Sequence, residues 1–219
     1  MKYFVFLLSL VVVSSACNKN TDKLPPFDVV YEVTFESYWD AQSHPTDFPS
    51  GAHFSPMCIL SHNYIGRLYK VDSFATPGIK AMAETGATTP LDEEANLQIA
   101  RSHVLDWATG SSFNSPGSDK QFIGVSQGFP LVSVVSMIAP SPDWFVANQN
   151  INLFFKGEWL QTHTVEAIAY DAGTDVGTTY TSANQPNAIT QVISKIVTPP
   201  LATNGLVNQM GVFRFNRVK

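Results

Sequence analysis

Cysteine is nearly absent from the chain: Cys17 and Cys58 are the only two in 219 residues, which excludes a small domain held by a disulfide framework. Long apolar runs are missing too. The run from Phe4 to Val13 falls well short of the roughly 20 residues that a membrane-spanning helix needs. Charge is sparse, at 14% of residues, and 18 acids against 13 bases leave a net charge of −5. That balance disfavours nucleic acid or anionic lipid as a default partner. No internal repeat is visible, and strand-like segments do not alternate with helical ones, so a βαβ architecture is excluded. The length suits one domain with a full core.

The beginning of the chain reads as a targeting segment. Met1-Lys2-Tyr3, the apolar run and Ser14-Ser15-Ala16 form the basic, apolar and small-residue parts of a secretory signal peptide over residues 1–16. Small residues directly before Cys17 resemble the bacterial lipobox, with Ser14 standing where leucine or valine is usual. The resemblance implies lipidation of Cys17 and a bacterial cell-envelope lipoprotein, expected in the outer membrane. The alternative is ordinary cleavage near Ala16 with an incidental cysteine. Asn18 to Pro26 is polar and reads as a tether, so residues 17–26 would join the anchor to a domain over 27–219. Cys58 lies between Met57 and Ile59-Leu60, which predicts a buried, inert thiol.

Within that domain, Phe27, Val29, Tyr31, Val33, Phe35 and Trp39 recur on alternate positions opposite acids and Thr34, the period-two pattern of a half-buried strand. Leu131 to Ala139, Ile151 to Phe155, Thr164 to Tyr170, Ile189 to Val197 and Val212 to Val218 are further strand candidates separated by Pro, Gly and Asn. Thr76-Pro77 to Gly86 predicts one short helix. Thr89-Pro90 followed by Asp92-Glu93-Glu94 predicts another, running to about Ala108 before Gly110. Ser111 to Lys120 reads as a loop. The expected fold is mainly β, an antiparallel sandwich with a short helical insertion.

Four constellations could carry chemistry. The first is a pair of acidic loops, Ser141-Pro142-Asp143-Trp144-Phe145 and Asp171-Ala172-Gly173-Thr174-Asp175-Val176-Gly177. Two prolines keep Asp143 out of regular structure, and the glycine turn lets Asp171 and Asp175 converge. Carboxylates without His or Cys favour Ca²⁺ over Zn²⁺. Spacing alone leaves open that these acids simply cap their own turns. Gln121 to Ala139 has no acid and can supply no carboxylate. Trp144 and Phe145 either dip into a membrane beside the loop or close the core beneath it, and the latter is favoured. Trp159 is read in the same way, as a core residue. His44, His53 and His62 recur at intervals that match no familiar zinc pattern, so they are expected to hold a winding loop. Gly124-Val125-Ser126-Gln127-Gly128 matches the nucleophile-elbow pattern, with Asp143 and His163 downstream in the right order. A helix must follow such a serine. Phe129-Pro130 and a β-branched run follow instead, so a glycine-rich hairpin is expected.

The same acidic loops, together with His44-Pro45, Asp47-Phe48-Pro49, Ala52-His53-Phe54-Ser55-Pro56 and Gly78-Ile79-Lys80 upstream, resemble the signature of the spondin N-terminal domain family. The resemblance runs in one order from about Tyr31 to the C-terminus. It implies a C2-like antiparallel β-sandwich with bound Ca²⁺, used in adhesion through an extracellular protein or glycan partner, without turnover. On that resemblance Asp143, Asp171 and Asp175 are the expected metal ligands, positioned by Pro142, Gly173 and Gly177. Two other readings stay open: a secreted hydrolase using Ser126 or a histidine-bound metal, and a purely structural envelope protein.

Overall fold

The computed structural model describes residues 27–219. The expected signal peptide, Cys17 and the tether lie outside the described residues. The chain runs through β1 (Val29–Ser37), β2 (His53–Phe54), β3 (Cys58–His62), α1 (Pro77–Thr85), α2 (Leu91–Ala100), β4 (Val104–Thr109), β5 (Phe113–Asn114) and β6 (Gly117–Val125). It continues through β7 (Leu131–Ala139), β8 (Trp144–Asn152), β9 (Phe154–Phe155), β10 (Glu158–Trp159), β11 (Thr162–Glu166) and β12 (Ile168–Asp171). Last come β13 (Ser194–Lys195), β14 (Ala202–Thr203), β15 (Leu206–Val207) and β16 (Gly211–Arg217).

Two antiparallel sheets face each other. One has the order β11-β16-β1-β6; the other runs β13-β12-β8-β7-β2-β5, with β3 joining β4 to the β7 edge. β1 alternates buried and half-exposed residues along its whole length, so Tyr31, Val33 and Phe35 enter the core. All nine residues of β7 are buried, and the reason is layering. Val132, Val134 and Ile138 meet the smaller sheet. Val135, Met137 and Ala139 lie beneath α1 and α2. A strand covered on both faces needs no polar alternation. The fold is therefore an antiparallel β-sandwich with a small helical insertion covering its outer side.

Helix α1 follows the expected chemistry. Thr76 Oγ1 accepts the Ile79 N–H at 3.2 Å, Pro77 opens the helix, and Gly86 closes it in the left-handed region at φ 71°. Helix α2 does not run to Ala108, the end expected from the sequence. It ends at Ala100 with Arg101 as its C-cap, and Val104–Thr109 pairs with β3 instead. β-Branched and aromatic residues gain more from that pairing than from a further helical turn. Pro90, not Thr89, is its N-cap.

The expected loop over 111–120 contains β5 and the start of β6, which pairs with β1 in register from Gly117↔Ser37 to Val125↔Val29. Only Ile123 and Val125 supply apolar core residues there, and Phe122 faces solvent at 52% exposure. The hydrophobic signal is thus too weak to read. Thr164 to Tyr170 divides at Ala167, so β11 and β12 belong to different sheets. Ile189 to Val197 keeps only β13 as a strand.

Candidate functional site

β7 ends in the turn Pro140-Ser141-Pro142-Asp143, closed by Ser141 Oγ accepting the Trp144 N–H at 3.1 Å. Asp171 is the last residue of β12 and pairs with Trp144, the first of β8. Neighbouring strands thereby bring both acidic loops to one end of the larger sheet. Asp143 is fully buried. Its Oδ2 accepts the Thr174 N–H at 2.7 Å, the Asp175 N–H at 3.1 Å and the Thr174 hydroxyl at 3.2 Å. Its Oδ1 is buried with no hydrogen-bond partner.

The second loop is shaped by its own acids. Asp171 Oδ1 accepts the Gly173 N–H at 2.7 Å. Asp175 Oδ1 accepts from Gly177 N–H at 2.6 Å and its Oδ2 from Gln185 N–H at 2.7 Å. Gly173 adopts φ +73°, and a Cβ there would stand 2.5 Å from the Gln191 carbonyl oxygen, so no other residue fits without strain. A Cβ on Gly177 would stand 2.6 Å from Pro142 Cγ, which places the two loops in direct contact. Beneath them Tyr180 packs between Trp39 and Trp144, at 5.6 and 5.5 Å between ring centroids.

This arrangement is electrostatically loaded. Burial, then the charge of Asp171, pushes the Asp143 carboxyl up to about 6, against the pull of its N–H donors. Burial raises the Asp171 carboxyl too; the Gly173 N–H and the Trp144 indole counter it, while Asp175 adds to the rise. A fully buried carboxylate with an unused oxygen, its pKa raised further by the charge of the half-buried Asp171 carboxylate, suits a hard cation. The fit is partial in one respect. Among the described residues no three His, Cys, Asp or Glu side chains are grouped so as to hold a metal ion. Asp175 uses each of its oxygens on a backbone N–H, so in this arrangement it clamps its own loop.

The sequence singles out the three aspartates but not Thr174, whose N–H and hydroxyl both donate to Asp143. The loop pattern contained the signal, since a threonine between two acids in a glycine turn is a natural carboxylate donor. Gln185, ten residues beyond Asp175, gave no local sign.

The other constellations resolve into structure. Ser126 bridges to Phe129, whose N–H donates to the Ser126 carbonyl at 2.8 Å. The G-x-S-x-G segment is therefore the hairpin turn between β6 and β7, and no helix follows the serine. Nine residues of β7, about 30 Å of strand, separate that turn from Asp143. His163 lies beside Phe215 in the smaller sheet, its ring tilted and 6.4 Å away between centroids. His44 meets Ser43 Oγ and the Asn208 carbonyl, His53 meets the Gly51 carbonyl, and His62 joins the Asn63 carbonyl to Ser133 Oγ. Each histidine holds its segment in place, as expected. Trp144 and Phe145 are core residues, Trp159 packs on Phe154 at 4.9 Å, and burial pushes the Cys58 thiol up to about 12. No described helix is long and apolar enough to cross a membrane.

Comparison with known proteins agrees with the geometry. A family model described as Spondin_N matches residues 29–204. Spondin-1 of Gallus gallus is 33% identical over 165 residues, covering 71% of this chain and 20% of that protein. Spondin-1 of Homo sapiens is 32% identical over the same shares. Spondin-2 of Homo sapiens is 27% identical over 160 residues, covering 70% of this chain and 48% of that protein. The chain thus spans about a fifth of the Spondin-1 proteins and about half of Spondin-2. With the sandwich, the helical insertion and the matched span together, the chain belongs to the spondin N-terminal domain family.

Proposed function

We propose that the chain is an extracellular binding module whose acidic loops hold one Ca²⁺, and that it recognises a protein or glycan partner without turnover. The family membership supports the extracellular binding role. Lipidation at Cys17, and with it attachment to a bacterial outer membrane, is part of the same proposal and rests on the lipobox resemblance. The observation that carries the calcium reading is the fully buried Asp143 Oδ1 with no partner, beside the half-buried Asp171 carboxylate.

In this reading Asp143 and Asp171 hold the ion, Asp143 through that oxygen, Asp175 adds a lone pair that its Gly177 and Gln185 donors leave unused, and backbone carbonyls and water complete the shell. The ion supplies positive charge where converging carboxylates repel. Thr174 and Gly173 orient Asp143 and Asp171; Asp175 ties Gly177 and Gln185 into the loop that presents the surface. The hydrolase reading has no catalytic constellation to support it, because Ser126, His163 and Asp143 are dispersed over turn, sheet and loop.

Isothermal titration of the chelated protein with Ca²⁺ is expected to show one saturable site. Asp171→Asn should weaken it by about tenfold or more, the effect of losing one charged ligand worth roughly 1.5–3 kcal/mol. Titration without heat of binding, or an Asp171→Asn variant that binds like the original chain, would remove calcium from the proposal.

A further inference from the structure

The geometry points to a second site: a cationic groove on the helical side of the sandwich that binds an anionic polysaccharide. It names a partner class for the extracellular module proposed above. It uses none of the acidic-loop residues, so it stands or falls separately from calcium. The groove has a volume of about 430 Å³ and is lined in part by Ile65, Arg67, Lys70, Phe74, Arg101 and His103.

Its walls are fixed by side chains that bond backbone. Asn63 Oδ1 accepts the Ile65 and Gly66 N–H groups at 2.9 and 3.2 Å, and its amide donates to the Ser102 carbonyl at 2.9 Å. Gln98 on α2 accepts the Arg67 N–H at 3.0 Å and donates to the Arg67 carbonyl at 2.9 Å. A Cβ on Gly66 would collide with the His103 carbonyl. The segment bearing Arg67 and Lys70 is thereby locked against the end of α2 bearing Arg101. Such preorganisation lowers the entropic cost of binding.

The charges are free. The ion pairs among the described residues are Lys80–Glu84, Lys120–Glu32 and Arg214–Glu36. Arg67, Lys70 and Arg101 belong to none of them. The carboxylate of the groove, Glu94, is committed to the Gly78 N–H and the Thr76 hydroxyl, both at 2.7 Å. Three unpaired cations thus share one groove on a chain with a net charge of −5. They arise from two segments, Arg67 and Lys70 on one and Arg101 at the end of α2 on the other, so they match a repeating anion better than a single one.

The lining also distinguishes glycan from peptide. An extended peptide can dock by adding a strand to a free sheet edge. Here Asp72 N–H donates to the Ile193 carbonyl at 3.0 Å and Ile193 N–H to the Ser73 carbonyl at 2.9 Å, so that wall is already paired. What remains is the Ser73 hydroxyl, since Gln98 and Thr76 are committed to Arg67, Ile79 and Glu94, together with the 65% exposed Phe74 ring. Those groups suit sugar hydroxyls and sugar faces, while Arg67 and Arg101 can fork onto sulfate or carboxylate.

The test is binding of the full chain to immobilised dextran sulfate, with neutral dextran and polyglutamate as comparisons, each in EDTA and in Ca²⁺. Saturable binding to dextran sulfate is expected in both, weakened by salt. The double variant Arg67→Glu/Arg101→Glu should bind at least about tenfold more weakly, and Lys70→Glu alone should lose an intermediate amount. Lys120→Glu, on the other sheet, should change affinity by less than about twofold. Undiminished binding by a folded double variant, or equal binding to neutral dextran, would overturn the groove. Polyglutamate bound as tightly as dextran sulfate would replace the glycan with an acidic protein partner.

Discussion

Replacing Asp143 with asparagine is expected to remove a pH-dependent weakness from the metal-free protein. The folded-state carboxyl titrates near 6 against an ordinary 3.8. Below 3.8 the group is protonated in both folded and unfolded chains, and its burial costs nothing ionic. As pH rises towards 6 the unfolded chain ionises first, so stability falls through that window and stays low above it. A rise of about two pKa units corresponds to roughly 3 kcal/mol.

The buried histidines act in the opposite sense. Burial holds His44 and His62 below their ordinary 6.5, so their contribution is lost as pH falls below that value. Both proteins share these histidines, so the informative quantity is the difference between them. In EDTA, urea unfolding should show Asp143→Asn gaining on the original chain as pH rises from 4 to 6, by up to about 3 kcal/mol. The gain follows from removing an unpartnered buried charge while leaving an oxygen for the Thr174 and Asp175 N–H groups. Parallel stability curves across that range would mean that Asp143 is not the strained group described.

Replacing Phe35 with alanine should be the most damaging change in the sandwich. Phe35 is fully buried on the inward face of β1. Its ring lies 4.7 Å from Phe54, 5.3 Å from Phe113 and 4.7 Å from Phe213, centroid to centroid. Phe54 and Phe113 belong to the larger sheet and Phe213 to the smaller one, so the ring joins the two sheets. Truncation loses the transfer energy and leaves a cavity that three rigid rings cannot fill, a cost of about 3–5 kcal/mol. Phe122 on β6 is the control, because its ring is 52% exposed and its removal should cost under about 1 kcal/mol. Chemical denaturation midpoints at unchanged slope would measure both. Equal costs at the two positions would contradict the packing described.

These effects also show which parts of the molecule could be read directly. β1 was legible because burial on one face imposes alternation, and β7 because burial on both faces imposes a continuous apolar run. Helix α1 declared itself through Thr76, Pro77 and Gly86, each with a fixed stereochemical role. β6 did not, because its outward face carries Ser118, Lys120 and Phe122 while its inward positions begin with Gly117, Asp119 and Gln121. Its strand state comes from pairing with β1, a tertiary effect. The end of α2 was misplaced for a related reason: β3 claims Val104–Thr109.

At the site, the aspartates were visible because proline and glycine isolate them. Their hierarchy was not. That Asp143 keeps a free oxygen while Asp175 spends both depends on where Thr174, Gly177 and Gln185 come to rest. The groove was invisible altogether, since Arg67, Lys70 and Arg101 lie on segments that only the fold brings together.

The most direct test of the central claim is thermal unfolding of the protein in EDTA and across a Ca²⁺ titration, with Mg²⁺ as control. An ion that binds only the folded chain stabilises it by RT ln(1 + [L]/Kd), about 2.7 kcal/mol at a hundredfold excess over Kd. The account predicts a saturable rise in melting temperature with Ca²⁺, a smaller one with Mg²⁺, and no response in Asp143→Asn. A melting temperature indifferent to Ca²⁺ and chelator alike would contradict it, and the acidic loops would then be turns that hold only themselves.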